Sequence, residues 1–222
     1  MTKPSKKMPS SSRAVLVLKE GVFTKNPVLT AGLAVTPVVA GGFTLKAGVA
    51  LSAFNALLLI LSCLVLFLLR KRIPDSMRPL AAVLCAAVLY IPAAWLFDCS
   101  HPGLMAQLGV FLPLLIIDSL LLVRGCNIAG GKKLPLVLLS AFANAAGFAL
   151  VMCVMSALRE IVTHSTLWGM PLPWGQHIPM AALPFAGLIM LGFLAAFFRW
   201  FRGEKHHYWD SPLKPSERRL KP

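Results

Sequence analysis

Six apolar stretches, each close to the ~20 residues that cross a bilayer core as helix, divide this chain. They run over about 26–45, 47–69, 77–97, 103–123, 134–158 and 178–198. The composition says why they cannot be folded away from lipid. The chain is 57% hydrophobic and 14% charged, against about 25% charged in soluble domains, so too little polar surface exists to cover a core of that size. The expected fold class is therefore an all-α integral membrane protein of six transmembrane helices, a length of 222 residues being enough for one bundle.

The formal net charge of +14 would suggest nucleic acid in a soluble protein. Here the Lys and Arg residues gather in the tails and alternate loops, so they report membrane orientation instead, and no nucleic-acid partner is expected. The N-terminal tail carries six, the next loops one, four, none, three and one (Arg159), and the C-terminal end, counted from Arg199, seven. Alternate segments sum to 20 and 2, which places both termini in the cytoplasm. Trp95, Trp168 and Trp174 fall at or beyond the outer ends and Trp200 at the inner end, as an interfacial belt would. The partition is then a basic N-terminal tail (1–25), a six-helix membrane domain (26–199) and a basic C-terminal tail (200–222) read as disordered or lipid-associated. His206 and His207 lie in that tail without further ligands and read as solvated. The first 20 residues hold no apolar core long enough for a cleaved signal peptide, so insertion is expected to begin with the first span. Only the loop 159–177 is long enough to carry structure of its own.

An internal repeat links the first and fourth stretches. Asn26-Pro-Val-Leu-Thr-Ala-Gly-Leu-Ala-Val-Thr-Pro37 corresponds, with one gap, to His101-Pro-Gly-Leu-Met-Ala-Gln-Leu-Gly-Val-Phe-Leu-Pro113. A repeat spaced by three helices inverts its direction, which predicts a 3+3 inverted repeat with helices 1 and 4 broken near Pro37 and Pro113. Corresponding breaks point to a midplane site, and a plain packing kink is the competing reading. Asp118, five residues after Pro113, is the one acid expected deep within a span. It reads as a proton or cation ligand, or as a structural hydrogen-bond anchor. Asn55, Gln107 and Asn144 are explained by helix–helix hydrogen bonding. The five cysteines form no close pair and read as small apolar fillers. No catalytic motif is present: there is no GxSxG, HExxH, Walker loop or dinucleotide fingerprint.

With these residues in hand, the chain resembles the Rnf/Nqr family of membrane subunits, in its RnfE/NqrD-like branch, over roughly residues 19–199. The resemblance rests on Asn26-Pro27 with Gly32-Leu33 and Pro37, on Leu69-Arg-Lys-Arg-Ile-Pro-Asp-Ser-Met-Arg78, and on Leu108-Gly-Val-Phe-Leu-Pro-Leu-Leu115. Ala157-Leu-Arg-Glu-Ile161 with Thr166-Leu-Trp-Gly169, and Met180-Ala-Ala-Leu-Pro184, continue it in order. It implies a membrane subunit of an ion-translocating electron-transport complex in the bacterial inner membrane, packed against a homologous RnfA/NqrE-like sister subunit and joined by other Rnf-like subunits. It also implies a [2Fe-2S] cluster shared with that sister, with two cysteines from each chain. Those positions are occupied here by Thr36 and by Asp118-Ser119, and hydroxyls are poor ligands beside thiolates. Cys126 lies seven residues, about 10 Å of helix, beyond Ser119 and is no evident replacement. No cofactor is therefore expected in this chain, and the candidate midplane site is Thr36, Pro37, Pro113, Asp118 and Ser119. A small-solute or ion transporter on the same inverted-repeat scaffold is the second reading.

Overall fold

A computed structural model of the chain describes residues 26–30, 32–100, 103, 108–127, 134–171, 173 and 178–201. These residues are nearly all helical. In chain order they form α1 (Val35–Gly41), α2 (Leu45–Leu69), α3 (Arg78–Ser100), α4 (Phe111–Leu114), α5 (Ser119–Asn127), α6 (Leu134–His164) and α7 (Pro184–Phe201). Single 3-10 turns occupy Asp75–Met77, Leu115–Ile117 and Pro179–Ala182, and a small hairpin pairs β1 (Thr166–Leu167) with β2 (Met170–Pro171).

Four helices among the described residues, α2, α3, α6 and α7, are long and apolar enough to cross a membrane. They account for the apolar stretches 47–69, 77–97, 134–158 and 178–198. The stretches 26–45 and 103–123 are built from short pieces instead. The first opens in a turn that Asn26 organises: its buried side chain accepts from the N–H groups of Val28 (3.0 Å) and Leu29 (3.3 Å) and donates to the Gly147 carbonyl of α6 (3.0 Å). Ala34, in a left-handed conformation at φ 58°, then starts α1. That helix ends at Gly41, and Thr44 caps α2 by accepting from the Ala47 N–H. In the second stretch α4 passes into the 3-10 turn, Asp118 takes extended angles (φ −66°, ψ 135°), and α5 begins at Ser119.

Proline does not mark these irregular points directly. Pro37 and Pro113 are each the third residue of a short helix, where the N–H has no intrahelical acceptor and the ring costs nothing. Pro92, by contrast, lies inside the continuous 23-residue α3.

The core lies between α2 and α6, which share the most extensive helix–helix contact. Phe54, Leu58 and Leu59 of α2 and Phe148, Met152 and Met155 of α6 are buried. The backbones approach closely at Gly48, where an added Cβ would collide with the Ser156 hydroxyl and Cβ. Tyr90 and Phe97 of α3 set their rings edge-on to Phe54, at 5.7 and 5.6 Å between centroids. The outward faces of α3 (Leu84, Val88, Ile91) and α7 (Leu188, Phe193, Phe197) are exposed and apolar, as lipid-facing surfaces are. The segment 159–177 begins otherwise than as a loop. Arg159–His164 prolong α6 to 31 residues, about 46 Å, longer than a bilayer core needs. The extra turns are covered by the protein itself, since Arg159, Glu160 and Thr163 are all buried.

Candidate functional site

The two irregular stretches meet. The backbone N–H of Ala34 donates to the Ser119 hydroxyl oxygen at 2.9 Å, across 85 residues of sequence. The Phe43 and Phe111 rings, 5.6 Å apart, join the segment after α1 to the start of α4. Asp118 stands at this junction. It is 5% exposed, and its main-chain oxygen accepts from Leu121 (3.1 Å) and Leu122 (3.2 Å) as the N-cap of α5. Its carboxylate thus sits at the positive end of that helix. One carboxylate oxygen, Oδ2, is buried without a hydrogen-bond partner, which leaves it open to a proton or a cation.

The five positions singled out from the sequence divide. Asp118 is buried, Ser119 half-buried and bound to Ala34, and Pro37 buried within α1. Thr36 and Pro113 are exposed on the surface of this chain. Among the described residues no three His, Cys, Asp or Glu side chains gather as a metal site would require. Among the described residues the side-chain donors placed at the junction are the Ser119 hydroxyl and the Asp118 carboxylate, both oxygen. That set does not fit a [2Fe-2S] cluster, which is held by thiolates. Among the described residues Cys63, Cys85, Cys99 and Cys153 form no disulfide, and Cys63 is buried in α2. The side chain of Cys126 lies outside the described residues.

Two residues that sequence reasoning left without a role flank the site. Arg159, 1% exposed, donates to the carbonyls of Val39 (2.6 Å), Ala181 (3.1 Å), Ala182 (3.1 Å) and Leu183 (2.9 Å). Its guanidinium also lies over the Phe43 ring at 5.0 Å. Glu160 accepts from the Leu45 N–H (2.6 Å), the Thr166 hydroxyl (3.2 Å) and the Gly169 N–H (3.0 Å). The reading of Arg159 as an outer-loop charge is thereby corrected: a cation can be buried there because four main-chain oxygens replace its water. The trace of the pair in the sequence is the run Ala157-Leu-Arg-Glu-Ile161 followed by Thr166-Leu-Trp-Gly169, which carries the family resemblance without showing what the pair does. Its spacing is what brings two hairpin donors onto one Glu160 oxygen.

The comparisons with known proteins agree with a membrane protein. The family described as Rnf-Nqr subunit, membrane protein, matches residues 14–198. The chain is 27% identical over 185 residues to the E-type subunit of the Na(+)-translocating ferredoxin:NAD(+) oxidoreductase complex of Acetobacterium woodii, covering 82% of this chain and 94% of that one. It is 28% identical over 196 residues to the E-type subunit of the ion-translocating oxidoreductase complex of Aliivibrio fischeri, covering 81% and 86%. A Shewanella protein of the same description is 28% identical over 192 residues, covering 80% and 83%. Apolar spanning helices and a family match over most of the chain lead to one statement: this protein belongs to the Rnf-Nqr subunit family of membrane proteins.

Proposed function

We propose that the chain is the E-type membrane subunit of an ion-translocating electron-transport complex in the bacterial inner membrane. It would cross six times as a 3+3 inverted repeat with both termini cytoplasmic, broken in its first and fourth spans. Residues 26–199 form the membrane domain between the basic tails 1–25 and 200–222. It packs against an RnfA/NqrE-like sister subunit, alongside other Rnf-like subunits. The observation that carries the reading is the 2.9 Å bond from Ala34 to Ser119, because it joins the first and fourth apolar stretches, which open with the repeated motif. In this chain the junction bears oxygen donors, so we assign it a structural and ion-handling part and no [2Fe-2S] cluster. Co-purification tests the role. A tagged chain isolated in mild detergent should bring down the sister and other Rnf-like subunits by mass spectrometry. Recovery of the chain without any redox partner would overturn the assignment.

A second reading has one observation in its favour. The buried, unpartnered Oδ2 of Asp118 suits a coupling site in a small-solute or ion transporter built on the same scaffold. Ion-dependent uptake by the chain alone in proteoliposomes, without redox subunits, would favour it.

A further inference from the structure

Neighbouring residues of α6 carry opposite charges to the two flanks of one break. The Val39 carbonyl belongs to the last turn of α1, where main-chain oxygens lack intrahelical partners. Ala181, Ala182 and Leu183 close the 3-10 turn before α7. Arg159 therefore sits at the negative ends of two short helical segments, one from each half of the chain. Glu160 receives the N–H of Leu45, the first residue of α2, at that helix's positive end. Only Gly42, Phe43 and Thr44 separate the two gripped helices, and Phe43 itself lies under the guanidinium.

Gly187 leaves the space that the grip uses. A Cβ there would stand 3.0 Å from Arg159 Nη2 and 3.2 Å from both the Val39 oxygen and its Cγ1. In the same helix, a Cβ on Gly192 would meet nothing within 4 Å.

We propose that Arg159 and Glu160 are positioning residues. Together they hold α1 and α2 on either side of their break, and so hold Ala34 against Ser119. The proposal rests on reading that junction as the working site of the subunit. Arg suits the position because its planar fork reaches several carbonyls at once, which a Lys ammonium on a flexible stem does not. Glu160 completes the grip by tying the α2 terminus to the hairpin through Thr166 and Gly169.

A cross-link reads the geometry directly. Ala34→Cys with Ser119→Cys places two thiols where a main-chain N–H now meets a hydroxyl, within disulfide reach. The pair is introduced into the full chain, co-expressed with its partner subunits. Oxidation is followed by mass spectrometry of the linked peptide, and partner recovery is measured in the same samples. Gly187→Ala, Arg159→Lys, Glu160→Gln and the control Gly192→Ala are each added to this double-cysteine chain and compared with it otherwise unaltered. Ala is the better helix former, so neither glycine variant should fail for want of helix. The link should form in the unaltered chain and in Gly192→Ala. It should fall on the order of ten-fold in Gly187→Ala and Arg159→Lys, the factor expected from losing one charged hydrogen bond. Partner recovery should persist in both. Glu160→Gln, which keeps an acceptor without the charge, should fall between. Equal yields in every background would overturn the positioning role while leaving the junction standing. No link in the unaltered chain would overturn the junction and the proposal together. Loss of partners with a full link in every background would count against the subunit assignment and against the clamp, leaving the junction alone.

Discussion

Asp118 and Arg159 are both buried ionisable residues in an apolar chain, and their polar atoms are accommodated in opposite ways. Arg159 directs its donors to four carbonyls. Asp118 keeps an oxygen unpartnered next to the α5 terminus. The first arrangement is closed and suits positioning, whereas the second is open and suits exchange of a proton or cation. Asp118→Asn preserves shape and hydrogen bonding and removes the charge. If the residue handles ions, this variant should assemble normally and lose ion-coupled activity in a reconstituted complex. Asp118→Leu should impair assembly as well, since the side-chain oxygens go with it. Full activity in Asp118→Asn would reject the ion-handling role. The acid itself was legible in the sequence as the only one deep in an apolar stretch. The guanidinium was not, because Arg159 follows an apolar run and looks like the start of a loop until its acceptors, as far as 120 residues away, are known.

At the next level up, close packing of α2 on α6 sets where the pieces of the first stretch can lie. Gly48 admits Ser156 with no room for a methyl group, and a Cβ on Gly42 would come 2.7 Å from the same hydroxyl. Gly48→Ala should therefore destabilise the chain by about 1–3 kcal/mol through overpacking, read as an earlier thermal transition in detergent. Ser156→Gly added to it should recover most of that loss, because it removes both atoms in the way. Gly192→Ala, open on its lipid side, should change little. The short helices show how weak a guide proline is. The residue type was read as a breaker at Pro37 and Pro113, yet both stand in first turns, and Pro92 sits inside a long helix. Position relative to a helix start decides the cost, and those starts follow Ala34 at φ 58° before α1 and Gly109 at φ 46° just before α4.

For the molecule as a whole, the charge split of 20 to 2 makes a topological statement that reporters can check. Fusions at Gly131 and Gly203 should report cytoplasm, and one at Gly169 the opposite side. A cytoplasmic signal at Gly169 would sink the six-span arrangement. Redox content is the other molecular test. The chain purified anaerobically with its sister subunit should contribute no [2Fe-2S] cluster of its own. Stoichiometric iron with a reducible EPR signal assigned to this chain would show that other ligands have taken over, and Cys126 would be the first to replace. The amino-acid order alone disclosed the membrane family and, among six apolar stretches read as spans, the four that become long helices; it also drew attention to Asp118. Apolar length, charge sidedness and motif spacing are local quantities that add up along a chain. The contact of Ala34 with Ser119, the burial of Arg159 and the true places of the irregular points required the folded path. Each depends on a hydrogen-bond partner or a steric neighbour far away in sequence, and in an apolar solvent those distant partners determine which backbone groups can be left out of a helix.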